Sequence, residues 1–213
     1  MNITDLITGG IGSNITSAIS KTLNIDEDKT KWLVAAAVPL MVAALNYNAK
    51  KSSEKAENIN KALEQHDGSI FSQLDKLTDS TVSTDGKRIV QHIFGSNTDV
   101  VKTNLASRTG LSTEKIEGAL ALLAPLVMGF FGKQKKLNNG GVGDLIGNIL
   151  GGQSSSGGGI LGSLVSNIMD SFGVSSPTNQ GTLSNLAGEF FNQNNNADKK
   201  GSVLDTLAAI FGK

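Results

Sequence analysis

NIDEDKTKWLVAAAVPLMVAAL, residues 24–45, and GLSTEKIEGALALLAPLVMGFF, residues 110–131, align without a gap. That register places Pro39 on Pro125 and pairs Ile25 with Leu111, Asp26 with Ser112, Asp28 with Glu114, Lys29 with Lys115 and Leu40 with Leu126. Similarity at a fixed interval marks a repeated structural unit, so one helical element is expected twice. Each stretch opens on a side chain that accepts hydrogen bonds from the free backbone N–H groups of a helix start, Asp26 or Ser112. The carboxylates of Glu27, Asp28 and Glu114 then complement the positive end of the helix dipole. Proline removes one backbone hydrogen bond and presses on the preceding turn, which predicts a kink near Pro39 and Pro125.

The apolar runs at residues 32–45 and 119–131 are hydrophobic on every face. A helix spanning a hydrocarbon core needs about 20 apolar residues, and runs shorter than that are expected at the centre of a helical domain. Leu33, Val38, Leu40, Met41, Leu120, Leu123, Leu126 and Val127 are the expected core. Further stripes have helical spacing: Ile15, Ala18, Ile19 and Leu23 after a Ser13 cap; Ala56, Ile59 and Leu63; and Ile70, Phe71, Leu74 and Leu77 after the Asp67–Gly68 turn. Ile89, Val90, Ile93 and Phe94 follow a start at Thr84, Asp85 and Gly86 and stop at Gly95. A helix over residues 99–107 would bury Val100, Val101 and Leu105. With no period-two strand pattern, residues 1–135 predict an all-α, multi-helical globular domain made of two related helical halves, about 1–65 and 66–135.

From Gln134 onward the composition shifts: most of the chain's 25 Gly lie there, among tracts such as GGQSSSGGG and NQNNNADKK. Residues 136–213 therefore read as a flexible Gly/Ser/Asn-rich tail. Within it lie short amphipathic helical islands, VGDLIGNIL, GILGSLVSNIMDSFG, LSNLAGEFF and SVLDTLAAIFG. Isolated helices under about 12–15 residues are marginal in water, so such islands need a surface to fold against. The candidate interaction element is the second island, with Ile160, Leu161, Leu164, Val165, Ile168, Met169 and Phe172. Its only charge is Asp170, whereas interfacial membrane helices carry Lys or Arg to meet anionic lipid, so docking on protein is the first expectation.

Residues 85–134, DGKRIVQHIFGSNTDVVKTNLASRTGLSTEKIEGALALLAPLVMGFFGKQ, resemble the YidB-like bacterial proteins grouped as domain of unknown function 937. The likeness rests on a Gly-x-x-Ile-x-x-x-Ile-Phe-Gly helix, a Thr-Gly-Leu-Ser turn, a Leu-x-x-Leu-Ala-Pro-Leu-Val-Met-Gly helix and a Gly-Asp-Leu-Ile-Gly element in the tail. The Pro39 helix and the DGSIF turn at Asp67 resemble longer members. The resemblance implies a mostly helical bacterial domain over about residues 1–135 and, more loosely, the tail. It implies no activity, cofactor or catalytic residue.

With 213 residues, zero formal net charge and a pI near 6.7, the chain has no global basic field to draw it onto nucleic acid. Absence of cysteine removes disulfides, thiolate metal sites and thiol nucleophiles. MNITDLITGGIGSNITSAIS lacks the basic region, continuous apolar stretch and cleavage site of a secretory signal, and a cytoplasmic protein is expected.

The two histidines, His66 and His92, lack ligand spacing. His66 stands at a helix C-terminus, His92 borders the core, and a joint site with Asp67 and Asp85 has no support from spacing. Residues 196–205, NADKKGSVLD, resemble the start of a calcium loop, but Lys200 and Leu204 occupy ligand positions and Leu207 replaces the closing carboxylate. GGIGSN and GGVGDLIG lack the lysine of a phosphate loop and a preceding strand. Lys50 and Lys51, and Lys133, Lys135 and Lys136, complement helix C-termini. No metal or other cofactor is expected. The leading expectation is a non-catalytic helical protein that binds a protein partner or itself through the tail islands. A membrane-peripheral protein is the rival, and an enzyme comes third.

Overall fold

The computed structural model describes residue 6 and residues 9–78 and 80–138. The described residues form six α-helices and no strand: α1 (Gly10–Leu23), α2 (Glu27–Lys51), α3 (Ser53–Gln65), α4 (Ser80–Phe94), α5 (Thr98–Thr109) and α6 (Thr113–Asn138). Short 3-10 turns at Ser69–Ser72, Leu74–Thr78 and Gly95–Asn97 link them.

The two proline stretches are the long helices α2 and α6, of 25 and 26 residues, and each runs through its proline. Asp26 Oδ1 accepts the N–H groups of Asp28 and Lys29, and Ser112 Oγ accepts that of Lys115. The chain enters both helices alike. Asn24 and Gly110 are left-handed residues closing α1 and α5, each followed by an apolar residue, Ile25 or Leu111, and then the cap. Lys115 Nζ donates to the Asn24 carbonyl at 2.7 Å, while Lys29 Nζ stands 3.8 Å from where a Gly110 side chain would begin. α1 packs on α6, α5 packs on α2, and α2 and α6 pack on each other.

α6 is the centre. Residues from Ala119 to Phe131 are buried on every side, and α1, α2, α3, α4 and α5 all contact this helix. Small residues set the closest approaches. A Cβ on Gly86 would overlap the Ala121 carbonyl, and one on Gly132 would overlap the His66 carbonyl, so α4 and the end of α3 meet α6 backbone to backbone.

Several expectations are corrected. Gly9, not Ser13, caps α1, and Ser13 lies within the helix. α4 starts at Ser80, so Thr84, Asp85 and Gly86 are interior; Gly86 is there for its missing side chain rather than as a breaker. Ile70, Phe71, Leu74 and Leu77 lie on 3-10 turns, of which Leu77 is wholly buried. α5 runs past both expected ends, and Val100 is 41% exposed because the inward face of α5 is carried by Val101 and Leu105. Leu40 is half-buried, while the other seven residues expected in the core of the long helices are buried. α6 continues beyond 135. Capping and charged ends extend α2 and α6 beyond their apolar runs, so both are long and apolar enough to cross a membrane, contrary to the length argument. In this fold 67% and 83% of their most apolar windows are buried against other helices. The tail islands lie outside the described residues.

Gly86→Ala is expected to destabilise the fold by about 1–3 kcal/mol through overpacking, although Ala in an unconstrained helix would stabilise by about 1 kcal/mol. Gly10→Ala, with nothing within 4 Å of the new carbon, should be neutral or mildly stabilising. Leu123→Ala should cost about 2–5 kcal/mol. Urea unfolding of the three variants checks the order.

Candidate interaction cleft

α3 gives its apolar stripe to the core and its polar face to solvent. Ser52 starts it, with Oγ accepting the Lys55 N–H, and Leu63 is buried while Ile59 and Ala62 are half-buried. α4 runs beside it with Ile89 and Ile93 buried. Between the two helices lies a cleft of about 620 Å³ whose floor is Leu45 of α2, Ile89 and Ile93 of α4 and Met128 of α6. Ile59 and Ala62 form one wall. The rim is polar, with Lys55, Asn58, Lys61 and Gln65 on the α3 side and Gln91 and His92 on the α4 side.

Asn48 closes one end. Its Nδ2 donates to the Ile93 carbonyl at 2.8 Å, tying α2 to the last turn of α4, and its Oδ1 receives Lys55 Nζ at 3.5 Å. Lys61 pairs with Glu57 at 2.9 Å along α3, which raises the lysine pKa and lowers that of the carboxylate.

Beyond the far end of α3, His66 is its C-cap residue, and its Nε2 lies 3.8 Å from Asp85 Oδ2. Asp67 turns elsewhere: Oδ1 accepts the Ser69 N–H at 3.0 Å and Oδ2 receives Lys136 Nζ at 3.2 Å. The Ser69 amide, then Lys136, lower the Asp67 pKa to about 2. His92 is exposed at the cleft rim rather than bordering the core. The fold thus joins His66 to Asp85 and directs Asp67 to Lys136 instead of to a shared site. Among the described residues, no group of three or more His, Cys, Asp or Glu is placed to hold a metal.

Other charges brace the helices. Lys102 bridges Asp99 at 2.8 Å and Glu117 at 3.1 Å, and Lys87 reaches Glu117 at 3.2 Å, joining α4 and α5 to α6. Hydrogen bonding to Asp99 and then Glu117 raises the Lys102 pKa, and Lys102 first, then Lys87, lowers that of Glu117. Lys135 holds α3 through the Asn60 carbonyl and Glu64.

The candidate element containing Ile160, Leu161, Leu164, Val165, Ile168, Met169 and Phe172 lies outside the described residues, as does the calcium-like stretch at 196–205. Sequence reasoning missed the cleft because its lining comes from four helices. The usable signal was α3, whose apolar stripe is thin and whose polar residues on the cleft side are amides and lysines, Asn58, Gln65, Lys55 and Lys61.

A family model described as "Bacterial protein of unknown function (DUF937)" matches residues 5–134. No curated protein and no solved structure matches the chain.

Asp67, Glu117 and Glu114 have lowered folded-state pKa values, so the stability they contribute is present above their ordinary values and lost as pH falls through the lowered ones. For Asp67 that window runs from 3.8 down to about 2. Thermal melting should therefore show stability falling with acid below about pH 4.5. Asp67→Asn, less stable at neutral pH, should lose less on acidification through that window.

Proposed function

The chain belongs to the DUF937 family of bacterial proteins of unknown function, and we propose that it is a non-catalytic helical interaction protein whose α3–α4 cleft receives an apolar helix. The observation that carries this reading is the cleft: an apolar floor open between two polar rims, the form taken by grooves that bind amphipathic helices. The occupant is the tail segment at residues 160–172 of the same chain. Docking of that segment into a second copy gives self-association by the same contacts.

Two features support this occupant. The segment concentrates seven large apolar side chains with a single charge, Asp170, and the rim above the cleft carries Lys55. α6 also ends beside α3, where Lys135 bonds Asn60 and Glu64, so the tail departs next to the cleft wall.

The architecture behind the cleft is read as two related helical units. Support comes from the matched entries into α2 and α6, the left-handed Asn24 and Gly110, and the exchange in which Lys115 reaches Asn24 while Lys29 approaches Gly110. Reciprocal contacts of this kind are the pattern of a two-fold axis.

Hydrogen exchange on the full chain and on Ile59→Asp and Ala62→Asp variants tests the cleft reading. Residues 160–172 should exchange slowly in the unsubstituted protein and be released in both variants, because a charge in the wall cannot stay dry. Equal, fast exchange in all three proteins would sink it, and protection gained only on adding liposomes would favour the membrane reading.

A further inference from the structure

The register of the two proline helices extends beyond them in both directions. At the same interval of 86 residues, the step from Asn24 to Gly110, Ile3, Ile7 and Gly9 fall on Ile89, Ile93 and Gly95. Helix boundaries keep the interval: α1 ends at Leu23 and α5 at Thr109, and α2 starts at Glu27 and α6 at Thr113. Downstream, Ser52, where α2 gives way to α3, falls on Asn138, the last residue of α6. Ser and Asn are both strong helix caps. The inward stripe of α3, Ala56, Ile59 and Leu63, then falls on Val142, Leu145 and Ile149.

Resting on the two-unit reading above, we infer that residues 142–150 form the third helix of the second unit and dock on a face made by α6 and α2, the image of the face that holds α3. α3 packs on α2, which precedes it, and crosses to α6, where the Leu63 and His66 carbonyls lie over Gly132 and Lys135 pairs with Glu64 at 2.9 Å. The register turns Lys135 into Ala49 and Glu64 into Leu150. A charged pair is replaced by an apolar pair, so the two positions stay matched in polarity. Ala49 is half-buried and packs against the core, so an apolar neighbour suits it.

Surface and composition agree with this occupant. Leu137, at the end of α6, is 69% exposed, an apolar side chain left at the point where the chain heads into residues 142–150. Gly143 and Gly147 weaken an isolated helix, so the segment folds only against a surface. Only a few residues separate it from Asn138, as Ser52 alone separates α2 from α3. The second unit thereby occupies about residues 89–151, beyond the boundary at 135 expected from composition, and the Gly/Ser hinge that frees residues 160–172 begins after it.

Because the chain has no cysteine, paired cysteines in the full-length protein give clean proximity tests. Glu64→Cys with Lys135→Cys is the positive control for a short bis-maleimide. Asn24→Cys with Lys115→Cys, and Lys29→Cys with Gly110→Cys, report on the two-unit reading. Ala49→Cys with Leu150→Cys reports on the docked segment. All should link within one chain, and adding Leu145→Asp and Ile149→Asp should reduce the Ala49/Leu150 product alone to the level of single-cysteine controls. If the two reciprocal pairs link and Ala49/Leu150 does not, the docking inference fails while the two-unit reading stands. If the reciprocal pairs fail in variants whose circular dichroism is native, the reading fails and the inference with it. An Ala49/Leu150 link running between two chains would place the segment on a second copy and overturn docking within the chain.

Discussion

A helix buried on every face must be met on every face, and α6 imposes that condition on the whole fold. Residues from Ala119 to Phe131 are withdrawn from water, with five other helices laid around them. Apolar burial on this scale drives the assembly. Its small residues decide how closely each neighbour lies: Gly118 receives Leu23, Ala121 receives Gly86, and Gly132 receives the end of α3. Charges then fix position at the margins of the core: Glu117 gathers Lys87 and Lys102, Lys135 holds α3 through Glu64, and Lys136 secures the turn after α3 through Asp67. At such exposed sites the pairs set register more than they add stability.

The cleft follows from the same constraint. α3 and α4 both approach α6 through glycine, but at different points along it, and the space between them is floored by side chains that α6 and α2 already need for their own packing. Met128 suits such a floor, since its unbranched, polarizable side chain adapts to varied apolar surfaces. The polar rim comes from α3, the most polar of the helices around the core, and from Gln91 and His92 of α4.

What could be read from the sequence was the part governed by local chemistry and period. The two proline helices, their caps at Asp26 and Ser112, the Asp67–Gly68 turn and the stop at Gly95 depend on residues near one another in the chain. Gly86 was misread because glycine in a helix has two meanings, a local break or a close tertiary approach, and only the position of Ala121 distinguishes them. Val100 and Leu40 were misassigned because burial depends on which face a neighbour covers, which apolar character alone does not specify. His66 and Asp85 meet because the end of α3 and the first turns of α4 both pack against α6, a relation that spacing along the chain does not encode.

If α2 and α6 share one core, neither can open without the other. Native-state hydrogen exchange across a denaturant series measures this directly, because each amide reports the free energy of the opening that exposes it. The account predicts that the slowest amides in the centres of α2 and α6 exchange through the same opening, at the free energy of global unfolding. Exchange of the α2 centre through a smaller opening that leaves α6 protected would contradict it.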